Sequence, residues 1–130
     1  MFSLSWVIGS GENAQGGTTD NVQLDNVIAT IELVLNKSGS VTLDIINGDE
    51  IGPESLQVET EGGKSVISLG ENTSDDYVVH TYTNESAIDG KISILGNEWD
   101  QKMICEDSNI IKTIFKEFLL TNKVSNNVLN

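Results

Sequence analysis

Polar and apolar residues alternate from the start of the chain. Phe2, Leu4, Trp6 and Ile8 are interleaved with Ser3 and Ser5. A period of two sends successive side chains to opposite faces, so this segment predicts a half-buried strand. Gly9 to Gly17 is rich in Gly, Asn and Gln and reads as a flexible loop. The period then changes. Val22, Val27, Ile28, Ile31, Val34 and Leu35 recur at helical spacing. Thr19 or Asp20 is placed to cap that helix, Asp25 and Lys37 suit its dipole, and Gly39 can supply a left-handed ending.

Short strands follow. Val41, Leu43 and Ile45 alternate with Thr42 and Asp44, and the turn Asn47 to Pro53 breaks the run. Leu56 and Val58 alternate with Gln57 and Glu59. Glu61-Gly62-Gly63-Lys64 is a two-glycine hairpin signal, because glycine accepts positive φ. Val66, Ile67 and Leu69 form the return strand. The acidic loop Glu71 to Asp76 leads into Tyr77 to Thr83, and Lys91–Leu95 and Lys102–Cys105 are two further expected strands. Between them, Gly96 to Asp100 reads as a turn carrying an exposed Trp99. Ile110, Ile111, Ile114, Phe115, Phe118 and Leu119 then form the stripe of a second helix, capped by Asp107 or Ser108 and ended by Asn122. Residues 124–130 are expected to be a loosely ordered polar tail.

These elements predict one domain over residues 1–130. The expected class is α+β: a twisted, mostly antiparallel sheet of about six or seven strands with both amphipathic helices packed on one face. The other face or the acidic loops are then free for a partner.

Charge changes the picture most. The chain has 20 Asp and Glu against 7 Lys, no Arg, and a formal net charge of -13. Ser38 to Gly63 contains six acids and no base. Acidity alone can serve solubility. A field of this sign also repels nucleic acid and anionic membranes and draws in cationic proteins. Neither a nucleic-acid nor a membrane partner is therefore expected. Cys105 is the single cysteine, which excludes an internal disulfide and suits a reducing compartment. Its apolar neighbours favour a buried structural thiol. The N-terminus lacks a basic region and an apolar run, so no signal peptide is expected and the location is read as cytoplasmic.

Catalytic signals are sparse. His80, the one histidine, falls inside an expected strand with no nucleophile assigned to it. Among twenty acids, a glycosidase-like pair would arise by chance. The chain has no Cys/His cluster for zinc and no complete calcium loop. Gly62-Gly63-Lys64-Ser65 has the ending of a P-loop without the upstream glycine. No catalytic residue, metal or cofactor is expected.

Three stretches carry a resemblance. They are Glu50 to Glu59 with the Gly62-Gly63 hairpin and Ser68-Leu69-Gly70-Glu71; Ile92 to Asp100; and Ile111 to Phe118 followed by Thr121-Asn122-Lys123-Val124. Together they resemble small immunity proteins of bacterial polymorphic-toxin and contact-dependent growth inhibition systems. The N-terminal third is similar only in layout. The resemblance implies a non-enzymatic cytoplasmic antitoxin that binds the C-terminal toxin domain of a cognate effector and occludes its active site or substrate groove. Such toxins are often basic and directed at nucleic acid, which an acidic inhibitor complements.

An interface of this kind needs acids around an apolar anchor. Glu98, Trp99 and Asp100 offer that combination, although a core-closing Trp99 is equally compatible. Asp49, Glu50 and Glu54 around the Gly-Pro turn form a second candidate. Glu71, Asp75 and Asp76 form a third, against the simpler reading of a solvated loop; His80 and Tyr82 can line the same sheet face. Competing functions are a small acidic binding or scaffold domain without a toxin partner, and a carboxylate enzyme.

Overall fold

The computed structural model describes residues 1–9, 11–125 and 128–129. Its elements run β1 (Phe2–Ile8), β2 (Gln15–Thr19), α1 (Leu24–Lys37), β3 (Gly39–Ile45), β4 (Gly52–Glu61), β5 (Lys64–Asn72), β6 (Tyr77–Thr81), β7 (Lys91–Ile94), β8 (Asn97–Asp100), β9 (Ile104–Cys105) and α2 (Ser108–Thr121). The main sheet is seven-stranded and antiparallel in the order β2-β1-β3-β4-β5-β6, with β9 pairing β5 beyond the end of β6. β7 and β8 form a separate hairpin. The fold is α+β, with both helices on one face of the sheet.

The strand period explains the layering. Leu4, Leu43, Leu56 and Leu69 are consecutive cross-strand neighbours, as are Trp6, Val41, Val58 and Ile67. These rows face the helices. Val27, Ile31 and Val34 of α1, and Ile111, Ile114, Phe115 and Phe118 of α2, complete the same buried cluster. Each such side chain, once buried, contributes about 1.5–3 kcal/mol by leaving water. Asp107 accepts from Asn109 N–H at 2.9 Å and caps α2, while Asn122 ends it in the left-handed conformation (φ 62). Lys112 Nζ donates to Glu32 Oε1 at 2.9 Å and links the helices.

The reverse face is mostly polar: Ser5, Thr42, Gln57, Ser68 and Thr81 follow one another across it. One corner is covered. Val66 points to this face and packs with Ile94 and Ile104, and with Ile92, Leu95 and Trp99 of the hairpin region. Leu95 N–H donates to Glu61 Oε1 at 3.0 Å and fastens the β7–β8 turn to the β4–β5 turn.

Several expectations are corrected. The loop over Gly9 to Gly17 contains the edge strand β2. Gly16 and Gly17 lack Cβ atoms because the Trp6 carbonyl and ring occupy that space, so composition concealed a pairing that needs those glycines. The first helix starts later than expected, with Gln23 as its N-cap residue and Gln23 N–H donating to Asn26 Oδ1 at 2.8 Å. Val22 therefore precedes it. Gly39 opens β3, and Ser38 is the C-cap. Of the expected strand at Lys102–Cys105, only Ile104–Cys105 pairs; Gln101–Met103 is a 3-10 turn. The segment expected to be a turn, Gly96 to Asp100, is mostly β8, the reversal being made by Leu95 and Gly96 at positive φ (51 and 86).

The tail is also better anchored than its composition suggests. Val124 and Leu129 are buried, and Leu129 bridges Tyr82. Ser125 donates to Glu117 through its backbone N–H (2.9 Å) and hydroxyl (2.8 Å). Asn126, Asn127 and Asn130, part of that expected tail, lie outside the described residues.

Candidate functional site

The topology gathers two of the three acidic candidates. Gly52 pairs with Asn72, so the loop before β4 and the turn after β5 lie at the same end of the sheet. Asp49, Glu50 and Glu54 come from the first segment, and Glu71, Asp75 and Asp76 from the second. Asn72 Nδ2 donates to Glu54 Oε2 at 3.0 Å across the junction. A register irregularity between Pro53 and Ser55 accommodates the extra residue, Glu54. Asp49, Glu50, Glu54, Asp75 and Asp76 are exposed and Glu71 is half-buried.

The turn that carries Asp75 and Asp76 is ordered by its own polar groups. Thr73 N–H donates to the Asp76 carbonyl (2.8 Å), and Asp76 N–H donates to Thr73 Oγ1 (3.0 Å). Asp76 Oδ1 accepts from Tyr77 N–H at 2.8 Å. Glu71 and Val78 are cross-strand partners, and Glu71 Oε1 lies 2.9 Å from His80 Nε2. Tyr77 projects onto the reverse face over Gly70, its phenol filling the space an added Cβ would take. Burial raises the Tyr77 phenol pKa, with Glu54 and Asp44 adding to the shift. That dependence places Glu54 and Asp44 in the electrostatic surroundings of the β6 edge.

Glu98, Trp99 and Asp100 sit elsewhere. The β7–β8 turn touches the β4–β5 turn, which is the opposite end of β5 from Asn72. β5 is 9 residues long, which sets its ends Lys64 and Asn72 on the order of 25 Å apart. Of the two readings open for Trp99, exposed anchor or core-closing indole, its packing agrees with the second. It is half-buried against the Val66–Ile94–Ile104 cluster, and its Nε1 has no acceptor among the described residues. Asp100 accepts from Lys102 N–H at 3.0 Å and so shapes the 3-10 turn, while Glu98 is exposed. The compact three-residue candidate therefore divides into a packed indole, a capping carboxylate and one free acid.

Sequence reasoning missed a feature of β6. Tyr77, Val78 and Val79 are 48%, 39% and 57% exposed, consecutive, and on an outer strand. Reading Tyr77–Thr83 as a strand was within reach of the sequence. Its edge position depends on the order of strands in space and was not.

A cleft of ≈ 630 Å³ lies between the segment after β6 and the start of α2. Tyr82, Asn84, Gln101, Glu106, Asp107 and Ser108 line it. Asp107 is engaged as the α2 cap. Cys105, beneath, is buried, and burial pushes its thiol pKa up, away from the reactive thiolate. Among the described residues no group of three His, Cys, Asp or Glu side chains is arranged to hold a metal ion. No described helix is long and apolar enough to cross a membrane.

A solved structure described as "Crystal structure of a hypothetical protein from Neisseria gonorrhoeae" has the same fold. It superposes with a TM-score of 0.73 and 20% identity, over 95% of this chain and 90% of that one. No curated protein matches the chain. Residues 5–128 match a family model described as "Family of unknown function (DUF6911)", a span that includes the whole acidic end, the β6 edge and both helices, and the chain belongs to that family.

Proposed function

We propose that this protein is a non-enzymatic inhibitor that docks onto a cationic protein, as an immunity protein docks onto its toxin. The supporting observation is the convergence of two acidic segments, about 20 residues apart in the chain, at one end of the sheet. Ser38 to Gly63 and Ser65 to Gly90 contain no Lys or Arg, so neither segment neutralises itself. Long-range attraction to a basic surface speeds encounter, and opposite charges fix the docking orientation. At physiological salt the attraction extends about 8 Å from exposed groups, far enough to orient a partner before contact.

The acids are spread across a loop, the adjoining ends of β4 and β5 and a turn, and are suited to meeting several Lys or Arg side chains. Such an inhibitor acts by covering the partner's active site or substrate groove. A nuclease or other nucleic-acid-directed toxin fits because the surface that grips phosphates is basic. The setting that follows is the bacterial cytoplasm, where a toxin of that kind finds its substrate.

Co-expression with the C-terminal domain of the effector encoded beside the gene tests this reading. The expected result is a stoichiometric complex that survives purification and relief of the growth arrest caused by that domain alone. A domain that stays toxic and elutes separately overturns it.

A further inference from the structure

Among the described residues, the outer edge of β6 is covered only past its end, where Leu129 bridges Tyr82. Natural sheets blunt their edges with Lys, Pro, bulges or covering segments. Tyr77-Val78-Val79-His80-Thr81 has no Lys and no Pro, and its register with β5 is regular. Tyr82 N–H donates to the Ile67 carbonyl at 3.2 Å. By the alternation of an antiparallel ladder, His80 and Val78 also direct their backbone groups to β5. Tyr77, Val79 and Thr81 direct theirs outward. Asp76 already accepts from Tyr77 N–H, and Leu129 sits beside Tyr82. Among the described residues, the open stretch is therefore centred on Val79.

We infer that this edge accepts an extended, Lys- or Arg-bearing segment of the partner as an added antiparallel or parallel strand. Main-chain hydrogen bonds to Val79 would hold the segment, and the exposed Tyr77, Val78 and Val79 would cover its apolar side chains. Charge selects the occupant. Asp75 and Asp76 stand at the start of the strand, Glu71 is the neighbour of Val78, and Glu54 is bonded to Asn72, the cross-strand partner of Tyr77. A second copy, with its own net charge of -13, would be repelled by the same groups that attract a basic strand. The sign of the partner's charge rests on the function proposed above; the open backbone of Val79 does not.

The test uses a short synthetic peptide of alternating lysine and valine, the same peptide N-methylated along its backbone, and the full chain labelled for NMR. The expected result is slowed amide exchange at Val79 and its β6 neighbours with the first peptide, and none with the second. Val79→Pro removes the outward N–H at an edge position that tolerates proline, and should weaken binding by about tenfold or more. Val79→Lys keeps the backbone and opposes the cationic strand, and should weaken it likewise. Unchanged dichroism establishes that both variants are folded. Equal binding of the N-methylated peptide, or shifts confined to Asp49, Glu50, Glu54, Asp75 and Asp76, overturns the inference. So does a dimer in sedimentation that Val79→Lys dissociates, since the occupant would then be a second copy. Failure to neutralise a toxin is a separate result, and bears on the proposed function alone.

Discussion

Asn72 donates to Glu54 at 3.0 Å, and this bond ties the turn after β5 to the irregular start of β4. Both residues are at the surface, so Asn72→Ala should cost less than about 1 kcal/mol of stability. It should nevertheless lower partner affinity, because Glu54 loses the contact that holds it beside the second acidic segment. Urea unfolding and calorimetric titration of the same variant separate the two effects.

Much of this architecture is legible in the residues. The alternation through Val41, Leu43, Leu56, Val58 and Leu69 is the register of the sheet's inner face, and Gly62-Gly63 is its tightest turn (φ 60 and 80). Asp107 and Asn122 mark the second helix because capping is local chemistry. The strand β2 is hidden because Gln15-Gly16-Gly17-Thr18-Thr19 has no apolar period; it exists through pairing with β1. The hairpin around Trp99 is hidden for a related reason: Val66, thirty or so residues away, decides which way the indole faces. Acidic segments were legible one at a time, and their meeting at one end is a property of strand order.

Trp99 offers a direct check on its packed role. Trp99→Phe removes an indole N–H that lacks an acceptor and should change stability by less than about 1.5 kcal/mol. Trp99→Ala should cost about 3 kcal/mol, by emptying the cluster of Val66, Ile94 and Ile104. Urea midpoints at constant slope measure both. A near-neutral Trp99→Ala would place the indole outside the core.

Phe118 is fully buried and meets Phe2 edge-to-face at 5.7 Å between centroids. Phe118→Ala should cost about 3–5 kcal/mol, a large share of the stability of a chain this size. The same urea measurement applies, and a loss below about 1 kcal/mol would mean that α2 does not pack as described.

Two carboxylates should give stability opposite dependences on pH. Burial raises the Glu59 pKa, so the folded chain holds its proton more tightly than the unfolded one. The resulting penalty is present at neutral pH and vanishes below the ordinary carboxylate range. Glu59→Gln should therefore stabilise the protein near about pH 7 and leave it unchanged near about pH 3. The Glu117 pKa is lowered, first by the Ser125 backbone N–H and then by its hydroxyl. Its contribution is present above the unfolded value and is lost as pH falls through the folded one. Glu117→Ala should destabilise at neutral pH, with the difference closing in acid. Thermal melts across this range read both slopes.

Charge reversal distinguishes the two ends of the sheet. If the anionic end formed by Asp49, Glu50, Glu54, Glu71, Asp75 and Asp76 captures a cationic protein, its charge sets the rate of encounter. The most direct measurement is the association rate of the neighbouring toxin domain at low and physiological salt, for the native chain, a Glu54→Lys/Asp75→Lys/Asp76→Lys variant and a Glu98→Lys variant. The expected result is a native rate that falls steeply with salt, a triple variant slowed by about tenfold or more with a flattened salt dependence, and little change from Glu98→Lys. Equal rates for the native chain and the triple variant at both salt concentrations would contradict it.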